Sequence, residues 1–315
     1  MKSVVFAVGM LIAAPAVAEP LLPLQRAVAA AEKTVAAREA ERAKLHRDTL
    51  AALNRSAAAL AIAEGRARSA VIGTLQAGTA LRRARQALSE AVQAFVAEAE
   101  ALEHAAALAA RGEVAPSATD RLVCEQSDCA RVPEQQHAAM VQMGAVPLSF
   151  DASTWPPETA MPLRLLAVTP VTSLAALRAA AEAAAQRSHD ATRQAEDLRA
   201  RLEDNAPSRV VYARALKAAE LARVAEDAAV AALRRALDTT ARAARAARRA
   251  ALMAGEGFIL ARDGHKACAD DKCVTTDGLE AAAFLVIGAA EEMNDGVKNL
   301  APFVVRTADG AYVFR

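Results

Sequence analysis

Residues 174–204 read LAALRAAAEAAAQRSHDATRQAEDLRARLED, inside a stretch from Val171 to Ala206 that contains neither glycine nor proline. Leu174, Leu177, Ala181, Ala184, Ser188, Ala191, Ala195, Leu198 and Leu202 follow one another in steps of three and four. Steps that average about 3.5 residues mark the seam of a coiled coil, not the wider stripe of a simple surface helix. Four of these nine positions are alanine, which lets helices approach closely but removes little apolar area from water per residue. A long helix compensates for such a thin contact by extending it.

Three more stretches free of both breakers run from Leu24 to Glu64, Thr79 to Arg111 and Ser208 to Ala254. Alanine, leucine, arginine and glutamate, the strongest helix formers, fill them. In the second, Leu88, Val92, Phe95, Ala99, Leu102, Ala106 and Ala109 repeat the same seam. Asn205 to Ser208, with Pro207, reads as the reversal of one helical hairpin. The other hairpin has its glycines at Gly65, Gly73 and Gly78. Arms of equal length place its reversal between Gly65 and Gly78, toward the Gly65 to Gly73 end. Gly112 and Gly255 are expected to end the return helices in left-handed conformation.

Composition agrees with long helices and narrows the function. Alanine fills 87 of the 315 positions, aromatic residues make up 3%, and 38 basic against 37 acidic residues leave a net charge of +1. That balance gives no electrostatic basis for binding nucleic acid. Lys2, the apolar run from Val4 to Ala14, Pro15 and the small residues Ala16 and Ala18 compose a secretory signal peptide, with a mature chain expected from Glu19. The run is shorter than the roughly 20 apolar residues of a membrane-spanning helix, and no later segment is long and charge-free enough to span. Thirty-one arginines against seven lysines point to a GC-rich bacterial genome. The periplasm is the expected address, with secretion as the alternative.

Each hairpin is followed by a short region of a different kind. Cys124 and Cys129 enclose four residues, as do Cys268 and Cys273, and the two pairs lie 144 positions apart. At the same offset Ala138-Ala139 matches Ala282-Ala283, and Gly144-Ala145 matches Gly288-Ala289. Residues 162–166 resemble 302–306 at an offset of 140. The chain therefore reads as a tandem duplication of a long antiparallel helical hairpin and a small α+β module. Its divisions are a signal peptide over 1–18, hairpins over 19–112 and 171–255, and modules over 113–170 and 256–315. Phe258 to Cys268 and Phe303 to Phe314 read as β-hairpins, with a helix from Leu279 to Met293 capped by Asp277. Residues 133–143 supply the matching helix of the first module. Segment 146–162, with Trp155, reads as an irregular loop.

In an oxidising compartment the four cysteines are expected as Cys124–Cys129 and Cys268–Cys273 disulfides, each stabilising by about 2 kcal/mol on the chain-entropy model. The alternative is a zinc or redox site. No histidine lies within five residues of Cys124 or Cys129, and neither pair has C-x-x-C spacing. No nucleophile elbow, zinc-protease motif or phosphate loop occurs, so catalytic residues, metal ligands and a cofactor are not assigned. Asp270, Asp271 and Asp277 read as a solvated acidic loop whose spacing matches no calcium loop.

Charge is patterned along the helices. Arg235, Arg242 and Arg249 recur every seven residues with Arg245 and Arg248 beside them, whereas the corresponding part of the first hairpin carries Glu90, Glu98, Glu100 and Glu103. These complementary stripes nominate a charge-pairing surface between the two hairpins, or between two molecules by self-association. The expected function is a non-enzymatic scaffold or adaptor that binds a protein partner in the cell envelope. The alternatives are a metal-binding or redox protein, or a regulator of cell-wall hydrolases. In layout alone the chain is similar to coiled-coil murein hydrolase activators, whose carboxy-terminal peptidase-like domain it lacks.

Overall fold

The computed structural model describes residues 20–116, 120–145, 174–204, 209–291, 297–307, 310 and 312–315. The signal peptide, the Asn205 to Ser208 reversal, the loop with Trp155 and the first member of the 162–166 match lie outside the described residues. The protein is mainly helical, with a few small strand pairs.

The first hairpin consists of α1 (Leu21–Leu53) and α2 (Ala57–Ala110), the second of α4 (Leu174–Asp204) and α5 (Arg209–Gly255). The first reversal is not at the glycines. The chain turns at Asn54-Arg55-Ser56, where the Arg55 N–H donates to Ala52 O and the Ser56 hydroxyl accepts from the Ala59 N–H at 3.2 Å. Gly65, Gly73 and Gly78 all ride inside α2. A helical glycine costs about 1 kcal/mol, which a long alanine-rich helix absorbs. A serine that satisfies an orphan N–H decides where a helix begins. The arms are consequently unequal, 33 residues against 54.

Each return helix stops two residues before a left-handed glycine. Gly112 has φ +90 after α2, and after α5 the corresponding residue is Gly257 at φ +96. Gly255, expected in that role, is the last helical residue instead. A Cβ there would meet Val92 Cγ2 at 3.2 Å, so its smallness serves the close approach of α5 to α2.

After α2 come β1 (Leu122–Glu125), β2 (Asp128–Arg131) and α3 (Glu134–Gln142). After α5 come β3 (Ile259–Leu260), β4 (Lys266–Ala269), β5 (Lys272–Thr275) and α6 (Gly278–Val286). The chain then forms α7 (Val297–Leu300) and the antiparallel pair β6 (Val304–Arg306) and β7 (Tyr312–Phe314). In both modules the cysteines face each other across a tight hairpin, Cys124 opposite Cys129 and Cys268 opposite Cys273. Strands β1, β2 and β5, which these pairings involve, were not foreseen from the sequence. Helix α6 opens with a full capping box between Asp277 and Glu280 but ends at Val286, well before Met293. Gly288 turns the chain there at φ +68, and Pro20 packs so closely on it that a Cβ would lie 2.6 Å from the proline ring.

The core lies where the return helices overlap. Arg245 reaches Glu103, Arg248 reaches Glu100, and Gly255 abuts Val92, so α2 and α5 run antiparallel through their last turns. Phe95, Leu102, Leu237, Ala247 and Ala251 are buried there, and Met140, Met143, Phe284 and Ile287 bring α3 and α6 against them. The hairpins therefore meet only at their bases and project in opposite directions. At 1.5 Å per residue the tips stand roughly 120 Å apart.

Candidate functional site

Two equivalent docking points close the centre of the molecule. The Leu174 N–H donates to Met143 O at 3.0 Å, seating the start of α4 on the end of α3. The Leu21 N–H donates to Ile287 O at 3.1 Å and the Leu22 N–H to Gly288 O at 2.7 Å, seating α1 on the end of α6 in the same way. Each hairpin thus begins on the module that follows the other hairpin.

One turn further on, each outgoing helix carries a side chain that caps the opposite return helix. Arg178 donates to Ala109 O at 3.2 Å and to Glu113 O at 3.4 Å, at the end of α2. Gln25 Nε2 donates to Ala254 O at 2.6 Å and to Phe258 O at 3.1 Å, at the end of α5. Burial holds the Arg178 guanidinium below its ordinary pKa, and the Glu182 carboxylate opposes that shift. Gln25 is 7% exposed and its Oε1 has no hydrogen-bond partner among the described residues. Neither residue stands out in the sequence. The only signal is that each lies four positions after the leucine that opens its helix, and that leucine is itself one among many.

The acidic and basic residues of the charge stripes divide three ways. Arg245 with Glu103 (3.2 Å) and Arg248 with Glu100 (3.1 Å) join α5 to α2. Exposed pairs of this kind contribute only a few tenths of a kcal/mol each, so they select orientation more than they stabilise. Arg242 pairs with Asp238 on its own helix at 3.1 Å. Arg249 turns to Glu280 at 2.5 Å, and Glu280, 9% exposed, also accepts from the Asp277 N–H in the capping box. That contact ties the second module to α5 through Glu280, a residue that no pattern in the sequence singles out. Arg235 makes no ion pair among the described residues, and Glu98 is buried.

The cysteines form Cys124–Cys129 and Cys268–Cys273 disulfides, with Cα atoms 4.0 and 4.1 Å apart. Close approach of this order is characteristic of directly opposed, non-hydrogen-bonded residues of an antiparallel pair. The Cys124 N–H and C=O instead bond outward to Val114. Gln126 and Asp270 hold equivalent left-handed places in the two hairpin loops, at φ 54 and φ 49. Among the described residues no group of three or more histidine, cysteine or acidic side chains is placed to hold a metal ion, and no helix is long and apolar enough to cross a membrane.

A cavity of about 710 Å³ opens where the base of the first hairpin meets the end of α5 and the second cystine hairpin. Val28, Leu88, Val92 and Ile259 give it an apolar floor, and Glu256 and Asp270 stand at its edge.

Among the described residues the surface is elsewhere most apolar on the arms. Leu50, Leu53, Ile62, Val71, Ile72 and Leu75 are exposed on the first, and Val210, Val211, Leu216, Leu221 and Val224 on the second. Comparison with protein-family models, curated proteins and solved structures finds no match to this chain.

Proposed function

We propose that the chain is a non-enzymatic scaffold or adaptor of the cell envelope, exported by its signal peptide to the periplasm, whose coiled-coil arms hold protein partners apart. The observation that carries this reading is the distribution of apolar surface. Among the described residues nearly every exposed large hydrophobic side chain lies on the two arms, and the arms point away from each other. Large apolar residues left on thin hairpins favour burial against another helix.

The same reading takes the chain as a tandem duplication, and the backbone supports it in detail. Val114 bridges Cys124 as Ile259 pairs with Cys268, Val132 N–H bonds to Arg121 O as Thr276 N–H bonds to His265 O, and Gly144 and Gly288 share φ values of 71 and 68. Two copies that pack about a pseudo-twofold give one arm in each direction. Such a spacer needs no catalytic centre.

Photocrosslinking in cells tests it. A crosslinking residue in place of Leu53, Leu75 or Leu221 is expected to give discrete protein adducts, lost when neighbouring apolar residues on the same arm are changed to serine. Adducts from the modules alone, with none from any arm position, would refute the proposal.

A further inference from the structure

The ends of α2 and α5 occupy equivalent places but differ in charge. The C-terminus of a helix carries roughly half a negative elementary charge. At the end of α2 the protein supplies the cation itself, because Arg178 lays its guanidinium on Ala109 O and Glu113 O. At the end of α5 the equivalent residue is neutral Gln25. Around it stand Glu256 and Asp270, where the end of α2 has Arg111 and Gln126. One half of the molecule fills this position with a positive charge, and the other fills it with a neutral amide beside a cavity lined by three acidic residues, Glu32, Glu256 and Asp270, against two arginines.

Two independent features mark the α5 end as open to a ligand. The first is the cavity of about 710 Å³ with its apolar floor, a size in the range of small-molecule sites. The second is Gln25, which lines the cavity and whose buried Oε1 is an acceptor with no donor among the described residues. Both contacts of Gln25 Nε2 are carbonyl oxygens, so the amide is fixed in orientation and Oε1 faces away from them. The two arginines of the lining do not reverse the local charge. Arg85 is held by Glu32 at 2.7 Å, and Arg26 alone is outnumbered by Glu256 and Asp270.

We propose that this cavity binds an organic cation, a primary ammonium or guanidinium on an apolar stem, such as a free alkylamine or the side chain of a partner's lysine or arginine. The stem lies along Val28, Leu88, Val92 and Ile259, and the cation faces Glu256, Asp270 and the negative end of α5. The proposal rests on the equivalence of the two helix ends read above as a duplication, and in its side-chain form it names what a bound partner presents.

The test is an NMR titration of the full mature chain with 1,5-diaminopentane, with Nα-acetyl-lysine methylamide and with 1-pentanol as the neutral control. The amines are expected to shift the amides of Gly255, Gly257 and Asp270 with a dissociation constant on the order of 1 mM, as suits exposed carboxylates, and pentanol at least tenfold more weakly. Tight response to the acetyl-lysine probe assigns the site to a protein side chain, and response to the diamine alone assigns it to a free amine. Glu256→Gln with Asp270→Asn should weaken amine binding at least fivefold without changing the pentanol response, since asparagine adopts the left-handed conformation of Asp270 readily. Gln25→Arg should place a guanidinium in the site from within and remove amine binding. Equal responses to amines and pentanol, or amine binding unchanged by the double carboxylate substitution, would overturn the proposal. If Gln25→Arg unfolds the chain while the carboxylate substitution still weakens the amines, the site stands and the equivalence of the helix ends fails.

Discussion

The centre of the molecule and its arms use the same helices for opposite purposes. Over its last turns α2 buries Phe95, Leu102 and Leu108, whereas toward the tip its buried residues are Ala70 and Ala77. Helix α5 buries Leu237 and a run of alanines near its end, and carries Leu216, Leu221 and Val224 exposed further out. A helix does not have one environment. Where four layers meet, small seam residues leave room for the large side chains of neighbouring elements. Where only two helices meet, the same alanines bury little and larger residues remain in water. Stability therefore resides in the centre, and the arms are long projections from it.

Substitutions at the centre offer the sharpest way to break this contrast. Phe95→Ala should cost about 3–5 kcal/mol by denaturant unfolding, since Phe95 is fully buried among α2, α5 and the modules. A cost below about 1 kcal/mol would mean that the centre does not hold the fold. Reduction of the two disulfides should cost about 2 kcal/mol each, measured by unfolding with and without reductant. Because each closes only a five-residue separation, the loss should be confined to the modules. Arg249→Ala leaves the nearly buried Glu280 without its cation and should cost about 1–2 kcal/mol, a loss that Glu280→Gln in the same chain partly restores.

The arms should respond weakly and in a different direction. Gly65 has open space where a Cβ would stand, so Gly65→Ala should stabilise the helix by about 0.5–1 kcal/mol and slow amide exchange between residues 57 and 80. Leu75, 67% exposed, should tolerate serine within about 0.5 kcal/mol while losing its crosslink. A large loss of stability there would show that the arm is packed against something within the chain, and the comparison would collapse.

Much of this architecture was readable in the residues. The buried faces of α2 from Leu88 to Ala109 and of α4 from Leu174 to Ala195 are legible because apolar residues recur in steps of three and four where no breaker interrupts them, and the cysteine spacing announced the two disulfides but not the strand pairs that carry them. The first reversal was hidden for a physical reason. Its signal is a single serine cap after Asn54-Arg55, whereas three glycines nearby carry the stronger conventional mark of a break and are tolerated inside the helix. Gln25 and Arg178 were unreadable for another reason, since their roles arise only when a helix start meets the end of a helix far away in sequence. The charge stripes were visible as stripes, but whether an arginine turns to α2, to its own helix or to Glu280 depends on a helix rotation that no local pattern specifies.

The hydrogen bond from Leu174 to Met143 has a consequence for how the chain is threaded. Met143 and Leu174, far apart along the chain, are direct hydrogen-bonded neighbours, so the end of the first module and the start of the second hairpin are already together in space. Leu21 on Ile287 makes the same junction on the other side with no peptide linkage between them. The two halves thus form a closed circuit in space that the backbone follows only part of the way.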